Sequence, residues 1–275
     1  MKKDKILKSS LSTLMKRFSG TDLISNLSSE KPLPSPGQVP INNIKDNSVL
    51  RKARINDAFL NKVTSMVKEK GFASPIYVVK RDDYYEVIYP RFLYKAAKKA
   101  KIETIPCVLM DISDEDILLY LASRLLQDKN GNIVEMSLLF NKIKKQMKYS
   151  QKEIASAMGL SRSQVTNIMR LIDMPEQILD DVVDGKLSFG HVRAISTLEE
   201  PQMTSLVQRI YEEHLSVHDV EKIVYELKHH VDFKDNEKKL EKNYQCEVVS
   251  SPKRLSFIFN NEEEKEKFID SLLKR

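Results

Sequence analysis

The apolar and polar positions of this chain follow their most regular pattern between Tyr149 and Leu171, in the segment YSQKEIASAMGLSRSQVTNIMRL. Two short runs with helical spacing are separated by Gly159, a residue that readily adopts the positive φ of a tight turn. The positions expected to face inward are Ile154, Ala155, Met158, Leu160, Val165 and Ile168. This spacing predicts a helix-turn-helix, whose second helix can enter the DNA major groove.

The outward positions of the second predicted helix are all hydrogen-bonding or cationic, and none is acidic. Ser161 is placed to cap this helix. The side chains predicted to contact DNA from it are Ser161, Arg162, Ser163, Gln164, Thr166, Asn167 and Arg170. Arg162, Gln164, Thr166 and Asn167 are candidates for base contacts, whereas Arg170, Lys148 and Lys152 are expected to contact phosphates. An ordinary amphipathic hairpin would explain the apolar spacing, but not this outer face.

Upstream, shorter patterns alternate between helix and strand. Residues 57–70 have a helical apolar spacing that stops at Gly71. The runs SPIYVVK and YYEVIY are rich in β-branched and aromatic residues and are separated by RDD, which predicts a hairpin. FLYKAAKKA has a helical pattern, and IPCVLMDI has the pattern of a strand. This order predicts a small α/β module.

From residue 114 to residue 227 the pattern is helical, and the chain then reads as strand, turn, strand and helix. The two strands are QCEVVS and RLSFIF, and the helix is NEEEKEKFIDSLLKR. About 35 residues are few for an independent core, so this last part is expected to self-associate. The apolar residues predicted to lie at the dimer interface are Val248, Leu255, Phe257, Phe268 and Leu272.

These patterns predict an α+β fold that is mostly helical. It has a small N-terminal α/β module, an all-helical helix-turn-helix domain and a small C-terminal ββα dimerisation domain. The segment KHHVDFKDNEKK is polar and weakly patterned, which predicts a linker. The predicted parts are a flexible basic tail at 1–40, the α/β module at 41–113, the helical DNA-binding domain at 114–228 with the helix-turn-helix at 149–171, the linker at 229–239 and the dimerisation domain at 240–275.

The charge distribution agrees with a nucleic-acid partner. The chain has a net charge of +6, and residues 142–170 contain seven Lys or Arg but only one acidic residue, Glu153. This excess concentrates positive potential at the predicted recognition helix. There is no signal-peptide pattern, and no apolar run is long enough to cross a bilayer. Cys107 and Cys246 have no metal-ligand spacing, so we expect reduced thiols, no metal site and a cytoplasmic, nucleoid-associated protein without a membrane partner.

Several segments resemble the ParB family of DNA-partition proteins, including its nucleoid-occlusion relatives. The helix-turn-helix and the following RLIDMPEQI are similar to the family's RL-x-x-x-P region. GKLSFGHVRAI resembles the G-x-L-S-x-G-H-A-R-A segment, and LSVHDVEKIV resembles LSVR-x-x-E. The C-terminal YQCEVVSSPKRLSFIFNNEEEKEKFIDSLL is similar to the family's dimerisation domain, and GFASPIYV matches its G-x-x-x-P-I strand entry.

The resemblance implies a dimer that binds a palindromic centromere-like site on double-stranded DNA and then spreads or slides beside it. It also implies CTP and magnesium in the N-terminal module, and a ParA-type ATPase as partner of a basic N-terminal segment. In this chain, Lys16 and Arg17 lie in a basic patch that suits either this ATPase or DNA.

The nucleotide motifs of the family are altered at three places. They read PRFL at 90–93 for GERR, RLLQD at 124–128 for ENLQR, and NSVLRK at 47–52 for N-P-x-Q-P-R. Pro90 replaces a glycine and removes a backbone donor, and Phe92 and Leu93 replace two arginines. Arg124 stands at the acidic metal-associated position. Arg91 is the one remaining candidate for an anion contact in the PRFL segment. These changes predict that CTP binding is impaired or absent, and favour a protein that is not an enzyme.

Two further residues belong to the predicted DNA-binding region. His191 has no catalytic partner motif around it, so a structural or DNA-supporting role is expected, and Arg193 could contact a phosphate. Two other functions stay open at this point. One is a DNA clamp that still binds and hydrolyses CTP through a rearranged pocket. The other is a nucleoid-associated protein or transcriptional regulator that has lost the partition role.

Overall fold

The computed structural model describes residues 37–128, 131–229, 233–251 and 254–273. They belong to two compact units, of which the first ends at Ser188 and the second begins at Phe189. This division falls inside the stretch 114–228, which the sequence pattern predicted as one domain. The predicted basic tail, with Lys16 and Arg17, lies outside the described residues except for its last four.

The first unit contains a mixed five-stranded sheet in the order β1-β5-β3-β4-β2. Its strands are β1 (Gly37–Pro40), β2 (Ile44–Lys45), β3 (Ile76–Lys80), β4 (Tyr85–Tyr89) and β5 (Thr104–Met110). β3 and β4 pair antiparallel, which confirms the predicted hairpin, and β3 runs parallel to β5. The prediction of a tail up to residue 40 was wrong at β1, which pairs antiparallel with β5. β1 is held by backbone hydrogen bonds to β5, which any sequence can form. Its four residues are too few to show a strand-like alternation of apolar side chains.

Two helices, α1 (Asp57–Lys70) and α2 (Arg91–Lys99), pack against each other and share their core with the sheet. The Asn56 side chain caps α1 by accepting a hydrogen bond from the Phe59 amide at 2.9 Å. The shared core consists mainly of buried aliphatic side chains, among them Val63, Val67, Ile76, Val78, Val87, Ala96, Ala97 and Ile105. A single residue, Pro90, separates the end of β4 from the start of α2.

The remaining helices of the first unit are α3 (Asp114–Gln127), α4 (Ile133–Met147), α5 (Gln151–Met158), α6 (Arg162–Arg170) and α7 (Glu176–Val183). A 3₁₀ turn, Leu171–Asp173, follows α6. α4 packs against both α3 and α6, and its Leu139, Phe140 and Ile143 are fully buried. α4 is therefore the support on which the helix-turn-helix rests.

The second unit contains five helices and a hairpin among its described residues. They are α8 (Phe189–Ile195), α9 (Glu200–Glu213), α10 (Val217–His229), α11 (Phe233–Tyr244), β6 (Glu247–Ser251), β7 (Arg254–Ile258) and α12 (Glu262–Leu273). β6 and β7 pair antiparallel and α12 follows them, in the predicted order of strand, strand and helix. None of the described helices is both long and apolar enough to span a bilayer.

The prediction of a linker at 229–239 was wrong, because α11 begins at Phe233. Polar contacts hold this helix in place. The Glu237 carboxylate accepts hydrogen bonds from Lys222 Nζ at 2.8 Å and from the Ser250 amide at 2.7 Å. It thereby links α10, α11 and β6. A helix held by such contacts has no strong apolar stripe in its sequence, which explains why the pattern indicated a linker.

Candidate nucleic-acid interface

Both helices of the predicted helix-turn-helix are present, and each begins with a capping box. In α5, the Glu153 amide donates to Ser150 Oγ at 3.2 Å, and Glu153 Oε2 accepts from the Ser150 amide at 2.9 Å. Gly159 ends α5 with a φ of 67°, a conformation that costs glycine little. In α6, Ser161 and Gln164 repeat the reciprocal bonds at 3.1 and 2.8 Å. Local sequence therefore sets both helix starts and the turn between them.

The inner face of the motif is buried as predicted. Ile154 and Val165 are completely inaccessible, Ala155, Met158 and Ile168 are buried, and Leu160 is half-buried. Sequence reasoning missed Met169, which is also buried and lies in the last turn of α6.

Helix α6 is also attached to α4 by two polar side chains that sequence reasoning missed. The Met169 carbonyl accepts hydrogen bonds from Asn141 Nδ2 at 3.0 Å and from Ser137 Oγ at 3.3 Å. The last carbonyls of a helix lack intrahelical partners, so these donors satisfy one of them. Ser137 and Asn141 are four residues apart on the same face of α4. This pair of polar residues on an otherwise apolar face is the feature of the sequence that could have indicated a polar contact with a neighbouring helix.

The outer face of α6 carries the predicted DNA-contacting side chains. Ser161, Arg162, Ser163, Gln164 and Arg170 are exposed, whereas Thr166 and Asn167 are half-buried. Arg162 and Arg170 extend from opposite ends of the helix, and no acidic residue lies between them. The face can therefore offer donors and positive charge to a polyanion.

Some of these side chains already have partners within the protein. Thr166 Oγ1 donates to Gln151 Oε1 at 3.0 Å, and Gln164 Oε1 and Ser161 Oγ hold the cap. Ser163 Oγ lies 3.0 Å from Ser161 Oγ. By contrast, Arg162, Asn167 and Arg170 have no side-chain hydrogen bond or ion pair with any residue that the structure describes. These three can contact DNA without breaking an internal bond.

The predicted phosphate contacts on the other helices are also exposed. Lys148 ends α4 in the left-handed conformation, with a φ of 56°, and its side chain is exposed beside the start of α5. Lys152 is exposed in the first turn of α5. Both therefore place positive charge at the start of α5.

His191 and Arg193 lie on α8, in the second unit. Arg193 Nη2 donates a hydrogen bond to Glu221 on α10, so its charge is already paired. A phosphate contact by Arg193 would have to compete with this carboxylate. His191 is half-buried on this helix, and the structural or DNA-supporting role expected for it stays a prediction.

Arg91 does not lie in an open anion site. Its side chain is only 5% exposed, and it donates four hydrogen bonds. Nε and Nη2 donate to the Asp46 carboxylate at 2.9 and 3.2 Å, Nη1 donates to Glu135 Oε1 at 2.5 Å, and Nη2 donates to the Ala53 carbonyl at 2.8 Å. Lys95 Nζ lies 2.6 Å from Asp46 Oδ2. The two cations and two carboxylates balance one another.

The environment shifts the two carboxylates in opposite directions. Burial alone would raise the pKa of Asp46, but hydrogen bonds from Arg91 and Lys95 outweigh it and hold the pKa below its usual value. Burial raises the pKa of Glu135, and the nearby charge of Arg91 only partly opposes this. Asp46 is therefore firmly ionised at neutral pH.

One residue of each of the other two altered motifs also has contacts within the first unit. Asn47 is buried, and its Oδ1 accepts from the amides of Val49 and Leu50 at 3.0 Å while its Nδ2 donates to the Val87 carbonyl at 3.1 Å. The guanidinium of Arg124 lies 5.9 Å from the ring centre of Tyr89 and 5.4 Å from that of Tyr120. The Arg124 guanidinium is therefore within cation–π distance of both rings.

A cavity of about 360 Å³ lies beside Arg91. Most of its lining is apolar, and its charged residues are Arg91, Asp128 and Glu135. A nucleotide triphosphate needs cationic or N–H donors, whereas here the arginine is paired and two carboxylates face the space. No group of three or more His, Cys, Asp or Glu side chains in the described parts of the chain could hold a metal ion. The lining of this cavity does not fit the phosphates of CTP. A second cavity, of about 420 Å³, is lined by both cations and carboxylates, namely Arg51, Lys52, Arg54, Arg91, Lys95, Asp57, Glu176 and Asp180.

Comparison with known families gives two matches. Residues 129–229 match the ParB HTH domain, and residues 28–123 match the ParB N-terminal domain. Together the two matches span well over half of the chain.

Curated relatives are chromosome-partitioning proteins. ParB of Caulobacter vibrioides is 28% identical over 200 residues, which are 69% of this chain and 65% of that protein. Spo0J of Thermus thermophilus is 29% identical over 196 residues, which are 70% of this chain and 72% of the relative. The chain thus spans slightly less than two thirds of the length of the Caulobacter protein.

Two similar solved structures are of the C-terminally truncated ParB from Caulobacter crescentus. One is complexed to the centromeric parS site, with a TM-score of 0.42, 24% identity, and coverage of 69% of this chain and 99% of that chain. The other is complexed with CTP-γ-S, with a TM-score of 0.33, 25% identity, and coverage of 65% and 99%.

Proposed function

Because this chain belongs to the ParB family, we propose that it is a sequence-specific DNA-binding protein of chromosome or plasmid partition. It binds a centromere-like, parS-type site as a dimer, in the cytoplasm and on the nucleoid. The observation that carries this proposal is the outer face of α6, where Arg162, Asn167 and Arg170 are available and no acidic side chain interferes. The curated relatives are named for the same role.

Arg162 is the most informative residue for a test. It lies in the first turn of α6, the part of a recognition helix that meets base edges. A bidentate contact to guanine contributes about 1–3 kcal/mol of discrimination, so Arg162→Ala should weaken cognate binding roughly 10- to 100-fold. Binding to random duplex should change little.

The experiment first identifies the site by genome-wide occupancy mapping, and then measures binding to cognate and random duplexes by fluorescence anisotropy. Lys68→Ala is the matched control, because it removes one exposed positive charge from α1. Equal losses on both duplexes for Arg162→Ala would show that Arg162 contacts the backbone. An absence of any discrete genomic site would overturn the proposed function.

The partner in dimerisation is a second copy of the C-terminal hairpin and helix. Several apolar side chains there are exposed in the single chain, namely Val249, Leu255, Ile258, Ile269 and Leu272. Leu255 is 50% exposed and Leu272 is 48% exposed, as expected for a surface that a partner covers.

Not every predicted interface residue is available for this role. Val248 is only 3% exposed and packs inside the protomer. Phe257 and Phe268 stack with ring centres 4.5 Å apart, and both contact the ring of Tyr244. Val248, Phe257 and Phe268 thus belong to the small core of the hairpin and helix. Their proposed part in dimerisation is to support the interface from beneath.

Sedimentation equilibrium tests the dimer. Leu255→Asp and Leu272→Asp should give monomers, because each places a charge on the apolar surface. Ser65→Asp, at an exposed position of α1 in the first unit, is the control for added charge. Dimers that persist in both leucine variants would contradict the assignment of this surface.

A ParA-type ATPase is a further proposed partner, and family membership is its support. A regulator or nucleoid-associated protein is the second candidate function, favoured by the paired state of Arg91 in the N-terminal module. The occupancy map distinguishes them. One sharp site flanked by kilobases of enrichment supports partition, whereas isolated peaks at promoters support regulation.

A further inference from the structure

The Arg91 side chain joins three separate segments of the first unit. Asp46 follows β2, Ala53 lies in the loop before α1, and Glu135 lies in the first turn of α4. Arg91 itself is the first residue of α2. One buried guanidinium therefore connects the α/β module to α4, the helix on which the helix-turn-helix rests.

A second group of contacts extends this connection. Arg54 pairs with Asp180 within α7 and with Asp184 just beyond its end, and the Asn132 side chain donates to the Arg54 carbonyl at 2.8 Å. Asn56 Nδ2 donates to the Val183 carbonyl at 3.3 Å. The loop from Ala53 to Asn56 is thus held by α7 and by the start of α4.

We propose that the Glu135 carboxylate is a built-in anion for Arg91, and that it fixes the α/β module on α4 without a nucleotide. In place of a bound phosphate, the chain supplies its own carboxylate at the start of α2. The arrangement of the first unit is then independent of CTP. This proposal rests on the geometry around Arg91 and not on the proposed DNA site.

The physical reason is the charge balance of the buried cluster. Arg91 and Glu135 are nearly inaccessible, with side chains 5% and 8% exposed. A phosphate that bonded to Arg91 Nη1 in place of Glu135 would leave a buried carboxylate without its partner. Breaking such a pair is strongly unfavourable. Conversely, removal of the Glu135 carboxylate leaves a buried cation that a small anion can satisfy.

The experiment measures thermal unfolding of the full chain and of Glu135→Ala, in sodium acetate, formate or phosphate against sodium chloride at equal ionic strength. We expect Glu135→Ala to lower the midpoint by roughly 10 °C. Acetate or formate should restore part of this loss in a saturable manner. Glu263→Ala, which removes an exposed carboxylate paired with Lys267, is the control and should show neither effect. Rescue by acetate no greater than by chloride would overturn the assignment of Glu135.

A second measurement needs no variant. Labelled CTP with magnesium is titrated into the unaltered full chain, and hydrogen exchange of the Asp46–Ala53 segment and of α2 is recorded with and without CTP. We expect no saturable binding and no change in exchange. Saturable micromolar binding, or protection of these segments by CTP, would overturn the proposal while leaving the DNA-binding assignment intact.

Discussion

Asn141 offers a quantitative test of how the recognition helix is held. Its Nδ2 donates to the Met169 carbonyl of α6 at 3.0 Å and to the Ser137 carbonyl of its own helix at 2.9 Å. A neutral hydrogen bond contributes about 0.5–1.5 kcal/mol, so Asn141→Ala removes bonds worth about 1–3 kcal/mol. Because Asn141 is half-buried and water can partly replace it, we expect a loss of about 1–2 kcal/mol.

Urea unfolding followed by circular dichroism gives this free energy. Asn61→Ala is the control, since Asn61 is an exposed helical amide whose Oδ1 accepts only a surface contact from Lys99. We expect the control to lose less than about 0.5 kcal/mol. Cognate DNA affinity should also fall in Asn141→Ala, because α6 is less firmly placed on α4. If the two variants lose equal stability and Asn141→Ala binds cognate DNA normally, the anchoring role of Asn141 is refuted.

Three further predictions follow from single residues. Ser161→Ala removes the cap of α6 and should cost about 1 kcal/mol in urea unfolding, whereas Ser161→Asp should retain most of the stability. The lowered pKa of Asp46 contributes stability that is complete above its unfolded value of 3.8 and is lost as pH falls further, so Asp46→Asn should flatten the acid side of the stability profile. The raised pKa of Glu135 has the opposite effect on stability, because the folded state takes up this proton at a higher pH than the unfolded chain does. A stability profile that Asp46→Asn leaves unchanged would contradict the ion network around Arg91. Burial raises the pKa of the Cys107 thiol to about 11, so a thiol reagent should label it only after urea unfolding; rapid labelling of the native chain would contradict this.

The sequence alone determined the helix-turn-helix. Its apolar spacing, Gly159 and the two capping boxes all act between residues at most four positions apart. Such local interactions are visible in the order of residues, and the structure confirms both helices and the turn. The predicted β3–β4 hairpin was visible for the same reason, because only a short turn separates its strands.

The C-terminal residues show where the local pattern becomes ambiguous. Val248 and Val249 are adjacent and both apolar, so alternation alone could not tell which one faces inward. Pairing of β6 with β7 places Val248 opposite Phe257, beside the aromatic core, and leaves Val249 exposed. The register of the hairpin therefore decided which residues are available to a second copy.

Only the tertiary structure decided the state of Arg91. Its sequence position indicated a residual anion contact, but its actual partners lie 38 to 45 positions away along the chain. The helix over Phe233–Tyr244 likewise depends on Glu237, whose partners come from α10 and β6. Buried charges are stable only beside their counter-charges, and the fold alone brings such distant residues together. The sequence thus determined the helix-turn-helix, whereas the fold determined that Arg91 is already paired with carboxylates of the protein.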